Sequence, residues 1–154
     1  FLGSRAAVTA AVAIGDLVLP ASAFIDEGTS RHYRPGIDAS APSAALDGKL
    51  AEICALAGRR PHRGPVWTTD APYRETRDKV SDYQRRGALA VEMECSALFT
   101  VAAFRAVSAA ALLVVSDDLS SLAWRPGFKD PRFASGREAA CDVIGRLCSA
   151  LAAA

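Results

Sequence analysis

The sequence predicts a single α/β domain in which helices pack on a mostly central sheet. Apolar segments of strand length alternate along the chain with segments whose apolar residues recur at helical spacing. Residues 109–115 are apolar throughout, which is typical of a strand buried on both faces. Because no internal repeat or long linker interrupts this pattern, we treat residues 1–154 as one domain.

The first half of the chain is predicted to contain a strand, a helix and a second strand. An apolar strand begins at Leu17, and the polar residues 26–42 after it form a loop, or two short strands joined by loops. Apolar residues then recur at helical spacing from Ser43, and Gly58 stands where a C-terminal cap belongs. Residues 65–68 form the next short strand.

The second half follows the same alternation. The predicted elements are a helix over 76–86, a strand over 88–91, a helix over 95–107 and the buried strand over 109–115. An irregular stretch continues to residue 134. The last helix is predicted to begin with a capping box, in which Ser135 and Glu138 satisfy backbone amides reciprocally.

The composition excludes several classes of protein. Eighteen basic and seventeen acidic residues leave a formal net charge of +1, so no overall field favours nucleic acid or an acidic membrane as a partner. No apolar run reaches the roughly 18 residues that a membrane helix requires. The four cysteines form no CxxC pair and lie in apolar helical stretches, which excludes a disulfide scaffold and a zinc ribbon. We expect a cytoplasmic domain.

The first residues allow two interpretations. Apolar residues 6–14 followed by the small residues 21–23 have features of a secretory signal peptide. The break at Gly15 and the strand-like residues 17–19 disfavour a signal peptide. We prefer a chain that begins partway through a domain, with Phe1 and Leu2 as the end of a buried strand.

Polar clusters follow three of the predicted strands, where ligands bind to open α/β sheets. The first cluster places Glu92 and Glu94 between a strand and an apolar helix. One interpretation is capping of the helix by Glu94, because a helix N-terminus stabilises carboxylates. The other is binding of a sugar diol, since one carboxylate can accept hydrogen bonds from both hydroxyls. The residues alone leave both open.

The second cluster is Ser116, Asp117 and Asp118. Asp117 at the end of a buried strand is a candidate general acid. Capping of a turn by Ser116 or Asp118 is the alternative, and both can hold at once.

The third cluster lies between residues 67 and 76. Trp67, Tyr73 and the intervening Pro72 could form a stacking wall for a planar base, with polar side chains that read its edge. A structured loop, with an Asx-type turn before the proline, is the alternative. His32, in a polar loop, is a further candidate, although a lone histidine there is more often a surface residue.

Taken in order, these segments resemble the trimeric and hexameric nucleoside phosphorylase superfamily, which includes purine nucleoside phosphorylase, uridine phosphorylase and related nucleosidases. The resemblance covers essentially the whole chain. Its most specific part is the VEME segment followed by Ser-Asp about two dozen residues later. The matching segments are residues 14–18, 27–33, 67–76, 91–94 and 116–117.

The resemblance implies a three-layer α/β/α fold with a central mixed sheet. It also implies a glycosyltransferase (pentosyltransferase) that cleaves a nucleoside with inorganic phosphate as co-substrate, without an organic cofactor or a metal. Relatives assemble as dimers and trimers of dimers, so a homo-oligomer is expected, with no nucleic-acid or membrane partner.

The same resemblance assigns roles to individual residues. Glu94 would bind the ribose 2′- and 3′-hydroxyls and Met93 would pack against the sugar, with Glu92 beside them. Asp117 matches the acid that protonates N7 of a departing purine. Ser4 matches the hydroxyl residue of the phosphate site.

The base pocket of the family falls on residues 72–76, so Pro72, Tyr73, Arg74 and Thr76 are its candidates here. The acid at position 117 favours a purine, because uridine phosphorylases typically lack it, whereas the surrounding loops are closer to the uridine branch. The base therefore stays open between purine and uracil.

The phosphate turn departs from the family. Relatives read Gly-Ser/Thr-x-Gly where this chain has Gly3 to Ala6, and many carry an arginine where this chain has Phe1. We expect the family's N-terminal region to be missing, which should leave residues 1–18 as an unpaired sheet edge. Hydrolysis with water in place of phosphate, and an inactive nucleoside-binding remnant, are the alternatives to phosphorolysis.

Overall fold

The computed structural model describes residues 1–153. Within them the strands are Leu2–Ala7 (β1), Leu17–Asp26 (β2), Ala39–Ser40 (β3), His62–Thr69 (β4), Ala90–Glu92 (β5), Leu112–Asp118 (β6) and Arg125–Pro126 (β7). The helices are Thr29–Tyr33 (α1), Ala44–Leu56 (α2), Arg77–Arg85 (α3), Cys95–Phe104 (α4) and Pro131–Ala152 (α5), and Pro72–Arg74 forms a 3₁₀ turn. None of these helices combines the length and apolar character needed to cross a bilayer.

The strands form one mixed sheet in the order β3-β2-β4-β5-β1-β6-β7. β2 pairs in parallel with β4 and antiparallel with β6, so the sheet curves round and closes on itself. The register of β2 shifts between Pro20 and Ser22, because a proline has no N–H to donate to the ladder. The first part of β2 can therefore pair with β6 and the later part with β3.

Helices cover the sheet on different faces, which confirms the predicted α/β fold with a central mixed sheet. Side chains alternate along β6, so that Val114 packs with α2 and α5 while Val115 packs in the cluster that α4 covers. α3 packs in a third cluster around Trp67 and Tyr83.

The expected unpaired edge at residues 1–18 is wrong. β1 lies inside the sheet, antiparallel to β5 on one side and parallel to β6 on the other. The amino group of Phe1 donates to the carbonyl of Ala110 at 2.8 Å. Gly3 and Ser4 consequently lie within a strand, and not after the end of one.

The observed bounds of two elements also differ from the predicted ones. The last helix begins at Pro131, because Asp130 accepts the N–H of Arg132 at 2.9 Å and proline suits the first helical position. The capping box predicted at Ser135 is therefore inside α5. The buried strand runs from Leu112 to Asp118, so that both of its ends lie three residues later than in the predicted strand 109–115. Its C-terminal end is extended because Asp117 and Asp118 pair with β7.

Three other predicted elements differ in smaller ways. Residues 26–42 contain the short helix α1 and the two-residue strand β3. The helix predicted over 95–107 ends at Phe104, and Ala106 has a positive φ of 53° that ends the helical path. The helix predicted over 76–86 is observed at Arg77–Arg85, with the side chain of Thr76 as its N-cap.

Replacement of Gly136 by alanine is expected to lower the free energy of unfolding by about 1–3 kcal/mol. A Cβ there would lie 2.4 Å from the carbonyl oxygen of Gly15 and 2.9 Å from Val114. Gly145→Ala, in the same helix, is the matched control: its Cβ would meet nothing within 4 Å, so it should stabilise by about 0.5–1 kcal/mol. Chemical denaturation measures both, and equal effects would contradict the close packing of α5 on the Gly15 turn.

Candidate functional site

A cavity of about 710 Å³ opens beside the ends of β5 and β6. It brings together residues from four separate parts of the chain. Of the residues predicted for the site, Ser4, Pro72, Tyr73, Glu92, Met93, Glu94 and Asp117 line it. The predicted sugar, acid and phosphate residues therefore share one cavity, as convergent polar groups do in small-molecule sites.

Glu92 and Glu94 have different environments although they are two residues apart. The Glu92 side chain is buried and accepts hydrogen bonds from the backbone N–H groups of Glu94 (2.8 Å) and Cys95 (2.7 Å). Its other oxygen accepts from the hydroxyl of Thr68. Glu92 therefore holds the turn before α4, while Met93 and Glu94 are exposed at the cavity.

The Glu94 carboxyl is free of the capping role that the sequence allowed it. The side chain of Glu94 makes no capping hydrogen bond at the start of α4. Partial burial, and then the neighbouring charge of Glu92, raise the pKa of Glu94, while the N–H of Met93 opposes the shift. A carboxylate in this position can accept two hydroxyl hydrogen bonds from a ligand.

A buried network of hydrogen bonds behind the cavity includes Glu27 and Ser30 of the polar segment 27–33. Glu27 is buried and accepts from the Ser96 hydroxyl at 2.8 Å and from the N–H of Ser30 at 3.0 Å. The N–H of Ser96 in turn donates to Thr68 at 2.9 Å, which bonds to Glu92. The network ties α1, β4 and α4 together beneath the VEME turn.

Asp117 is held from two sides. Its Oδ1 lies 2.6 Å from the Ser116 hydroxyl, and its Oδ2 accepts the indole N–H of Trp124 at 2.8 Å. Asp118 instead accepts from the N–H of Ser120 and pairs with Arg125. Although burial raises the pKa of Asp118, these hydrogen bonds lower it overall. This division matches the interpretation in which Asp117 lines the cleft and Asp118 holds the turn.

A family model described as the Phosphorylase superfamily matches residues 1–149. The chain belongs to this superfamily. Similar proteins include the DeoD-type purine nucleoside phosphorylases of Bacillus cereus, Bacillus thuringiensis and Bacillus mycoides. Each is 36% identical over 120 residues, which are 77% of this chain and 51% of the relative. The chain thus spans about half the length of the curated relatives it matches.

Three predicted residues of this superfamily member lie outside the cavity. Arg74 is exposed in the 3₁₀ turn, and the hydroxyl of Thr76 accepts the N–H of Lys79 at 3.4 Å as the cap of α3. His32 is exposed on α1. Within residues 1–153, no group of three or more histidine, cysteine, aspartate or glutamate side chains is arranged to hold a metal ion.

The wall of the cavity differs from the predicted one at a single residue: Pro72 and Tyr73 line the cavity, whereas Trp67 does not. Trp67 is fully buried, stacks on Tyr83 at 4.3 Å between ring centroids, and donates its N–H to Asp26. Trp124 and Phe128 line the cavity instead, and both are more than half exposed. Two aromatic residues in the irregular segment directly after the Asp117 strand were the signal that could have identified them.

Glu75, one of the polar side chains in the segment predicted to read the edge of a base, also lines the cavity. Burial and then the charge of Asp117 raise the pKa of Glu75 to about 7. The two carboxyl groups line the same cavity. Perturbed carboxyl groups in a cleft are frequent at functional sites.

Arg5 is an unusual neighbour of the predicted phosphate residue. Ser4 is exposed at the cavity, whereas Arg5 is 3% exposed and donates one hydrogen bond, at 3.2 Å, to the carbonyl of Leu113. Its Nε and Nη1 have no partner among the described residues. Burial lowers the pKa of Arg5 to about 9, because a buried cation loses hydration.

Proposed function

We propose that this chain carries the sugar- and base-binding part of a nucleoside phosphorylase. The reaction would be phosphorolysis of the N-glycosidic bond, which releases a free base and ribose 1-phosphate. The observation that carries the proposal is the common cavity of Glu94, Met93 and Asp117. Membership of the superfamily and the purine nucleoside phosphorylases among the relatives support it.

Glu94 would bind the sugar. The exposed carboxylate can accept hydrogen bonds from both vicinal hydroxyls of a ribose, and Met93, 44% exposed, offers an apolar surface beside it. Because Glu92 fixes the turn through two backbone amides, Glu94 is held in place without using its own carboxyl. A fixed sugar can meet the nucleophile in a reactive geometry.

Asp117 would act on the leaving base. As the glycosidic bond breaks, the sugar gains positive charge and the base gains negative charge. A proton or hydrogen bond from Asp117 to N7 would stabilise a departing purine, and the carboxylate of Glu94 would stabilise charge on the sugar. The presence of this acid and the names of the relatives favour a purine nucleoside over uridine.

Hydrolysis is the second candidate, and one observation favours it. Gly3 and Ser4 lie within β1, paired with Leu113 and Val114 of β6, and not on a turn whose amides could bind an anion. Ser4, exposed at the cavity, is nevertheless the residue that we assign to phosphate. A homo-oligomeric assembly and a cytoplasmic location stay predictions.

Base release from inosine, adenosine and uridine, with and without phosphate, tests the proposal. We expect release from the purine nucleosides in the presence of phosphate and none in its absence. Release by a version extended upstream but not by this chain would mean that the sugar and base residues need further phosphate-binding residues. Release without phosphate would support hydrolysis. Release from neither version would contradict an enzymatic function.

Glu94→Ala should weaken nucleoside binding by roughly 10- to 100-fold, because charged hydrogen bonds to both hydroxyls are lost. Calorimetry with inosine measures the effect. Glu52→Ala, an exposed residue on α2, is the control and should bind like the parent chain. Unchanged affinity in Glu94→Ala would remove the sugar-binding role.

A further inference from the structure

We propose that a second cavity, which shares no described lining residue with the cavity of Asp117, binds an oligophosphate, the phosphate chain of pyrophosphate and of nucleoside diphosphates. The second cavity has a volume of about 430 Å³ and lies beside the start of α5. Three arginines line it: Arg59 and Arg60 from the segment between α2 and β4, and Arg132 from α5. The inference goes beyond the proposed function and does not depend on it.

The first observation is that two of these arginines are available to a ligand. Arg59 and Arg60 are exposed, and their side chains take part in no hydrogen bond or ion pair within residues 1–153. A guanidinium is charged at any physiological pH, and its planar set of N–H groups matches two oxygens of a phosphate group. Two guanidiniums at one cavity can therefore bind neighbouring phosphate groups of the same chain.

The second observation is that the guanidinium of Arg132 is already ordered. Its Nε and Nη2 donate hydrogen bonds to the carboxylate of Asp130, at 3.1 and 2.7 Å. Its Nη1 has no partner among the described residues and can donate to a ligand. Because an ordered side chain loses less conformational entropy on binding than a free one, Arg132 can anchor the anion at a lower cost.

The backbone beneath the cavity is closely packed, which fixes the wall that carries Arg132. Gly15 and Gly136 both line the cavity. A Cβ on Gly15 would lie 2.4 Å from the carbonyl oxygen of Arg132, and a Cβ on Gly136 would lie 2.4 Å from that of Gly15. The N–H of Gly15 in turn donates to the carbonyl of Val115 at 2.9 Å. The start of α5 is therefore held against the sheet at this point.

The carboxylate that lines the cavity is already hydrogen-bonded. Oδ2 of Asp16 accepts the N–H of Ala13 at 2.9 Å and lies 3.0 Å from Nε2 of His62. Three cations and one carboxylate among the described lining residues leave an excess of positive charge, which favours an anion. An oligophosphate carries several negative charges on a short chain, so it complements three guanidiniums better than a single carboxylate does.

Calorimetric titration of the whole chain with pyrophosphate and with ADP, in about 0.15 M salt, tests the inference. We expect one pyrophosphate to bind per chain. The double variant Ser4→Ala/Glu94→Ala should bind both compounds as the parent chain does, because it changes only residues assigned to phosphate and sugar in the cavity of Asp117. ADP and pyrophosphate of equal affinity would indicate that the inorganic chain suffices, whereas tighter ADP would indicate a nucleotide.

The double variant Arg59→Gln/Arg60→Gln should bind pyrophosphate about 10- to 100-fold more weakly, because it loses the charged hydrogen bonds of two guanidiniums. Arg85→Gln/Arg146→Gln is the matched control. It removes the same charge from exposed arginines of α3 and α5 that do not line the cavity, and should change the affinity by less than about twofold at this salt concentration. Unfolding midpoints check that both variants are folded.

A second pair of variants adds a negative charge and leaves the arginines in place. Ser135 is exposed and lines the cavity, so Ser135→Asp should weaken pyrophosphate binding by about tenfold through repulsion between like charges. Ala134→Asp places the same charge on the preceding exposed residue of α5, which does not line the cavity. Its effect should be clearly smaller.

The outcomes separate a specific site from a general attraction for anions. Citrate that binds as tightly as pyrophosphate, or equal weakening by the two arginine pairs, would overturn the inference. Loss of pyrophosphate binding in Ser4→Ala/Glu94→Ala would place the anion in the cavity of Asp117 and would overturn it too. If the parent chain binds no pyrophosphate and no ADP, the inference fails, while the proposed function stands or falls on base release alone.

Discussion

Glu92→Ala is expected to lower the free energy of unfolding by about 3–5 kcal/mol, the largest effect on stability that we predict. The substitution leaves the N–H groups of Glu94 and Cys95 and the hydroxyl of Thr68 without their acceptor. Each buried donor without a partner costs about 1–3 kcal/mol. Chemical denaturation followed by circular dichroism measures the change.

Two variants make this prediction specific. Glu92→Gln keeps one acceptor oxygen, so it should cost less than Glu92→Ala. Glu94→Ala, two residues away, removes an exposed carboxyl that makes no capping bond and should change stability by within about 0.5 kcal/mol. Equal destabilisation by Glu92→Ala and Glu94→Ala would contradict the assignment of Glu92 to the buried turn and of Glu94 to the cavity.

Glu92 also matters for the buried cation beneath the cavity. Burial lowers the pKa of Arg5, and Glu92 is among the negative groups that oppose this effect. Loss of Glu92 would therefore leave the guanidinium with less compensation in a site where two of its nitrogen atoms already lack a partner among the described residues. The cost of Glu92→Ala is expected to exceed that of an ordinary cap for this reason.

The sequence predicted the site better than the division of roles within it. Local spacing placed Glu92 and Glu94 between a strand and a helix; this is confirmed for Glu94, whereas Glu92 is the last residue of the strand. Which carboxyl faces inward depends on where the strand ends. Because Glu92 is the last residue of β5, its side chain still follows the alternation of the sheet and is buried, whereas Glu94 lies beyond the strand.

Long-range pairing was the part that the sequence could not provide. The pairing of β1 with β6 joins residues more than 100 positions apart, as in the hydrogen bond from Phe1 to Ala110. No local pattern reports such a contact. The expectation of an unpaired edge failed because it assumed that residues near the start of the chain had no neighbouring strand available.

The aromatic residues near the cavity also show that local sequence does not predict which side chains are buried in the core. Trp67 and Trp124 both stand near polar residues in the sequence, and only the tertiary structure separates a core residue from one that lines the cavity. Trp67 lies in the long strand β4 and stacks on Tyr83 of α3. Trp124 lies next to β7 and bonds to Asp117 across six intervening residues.

Asp117→Asn is expected to reduce base release from inosine by about 10²–10⁴-fold, the usual contribution of a positioned general acid. The amide can still accept the N–H of Trp124 through its oxygen, so the side chain should stay in place while the ability to transfer a proton to the base is lost. Uridine has no N7 to protonate, and its release should fall much less. Initial rates with both nucleosides, in saturating phosphate, measure the ratio.

The ratio between the two nucleosides distinguishes a proton donor from a structural residue. Damage to the cavity would slow inosine and uridine equally, which would count against the protonation of N7 by Asp117. Trp124→Phe removes only the N–H that holds Oδ2 and should slow inosine less than Asp117→Asn does, because the acid itself remains. Asp142→Asn, an exposed aspartate paired with Arg146 on α5, is the matched control and should leave both rates unchanged.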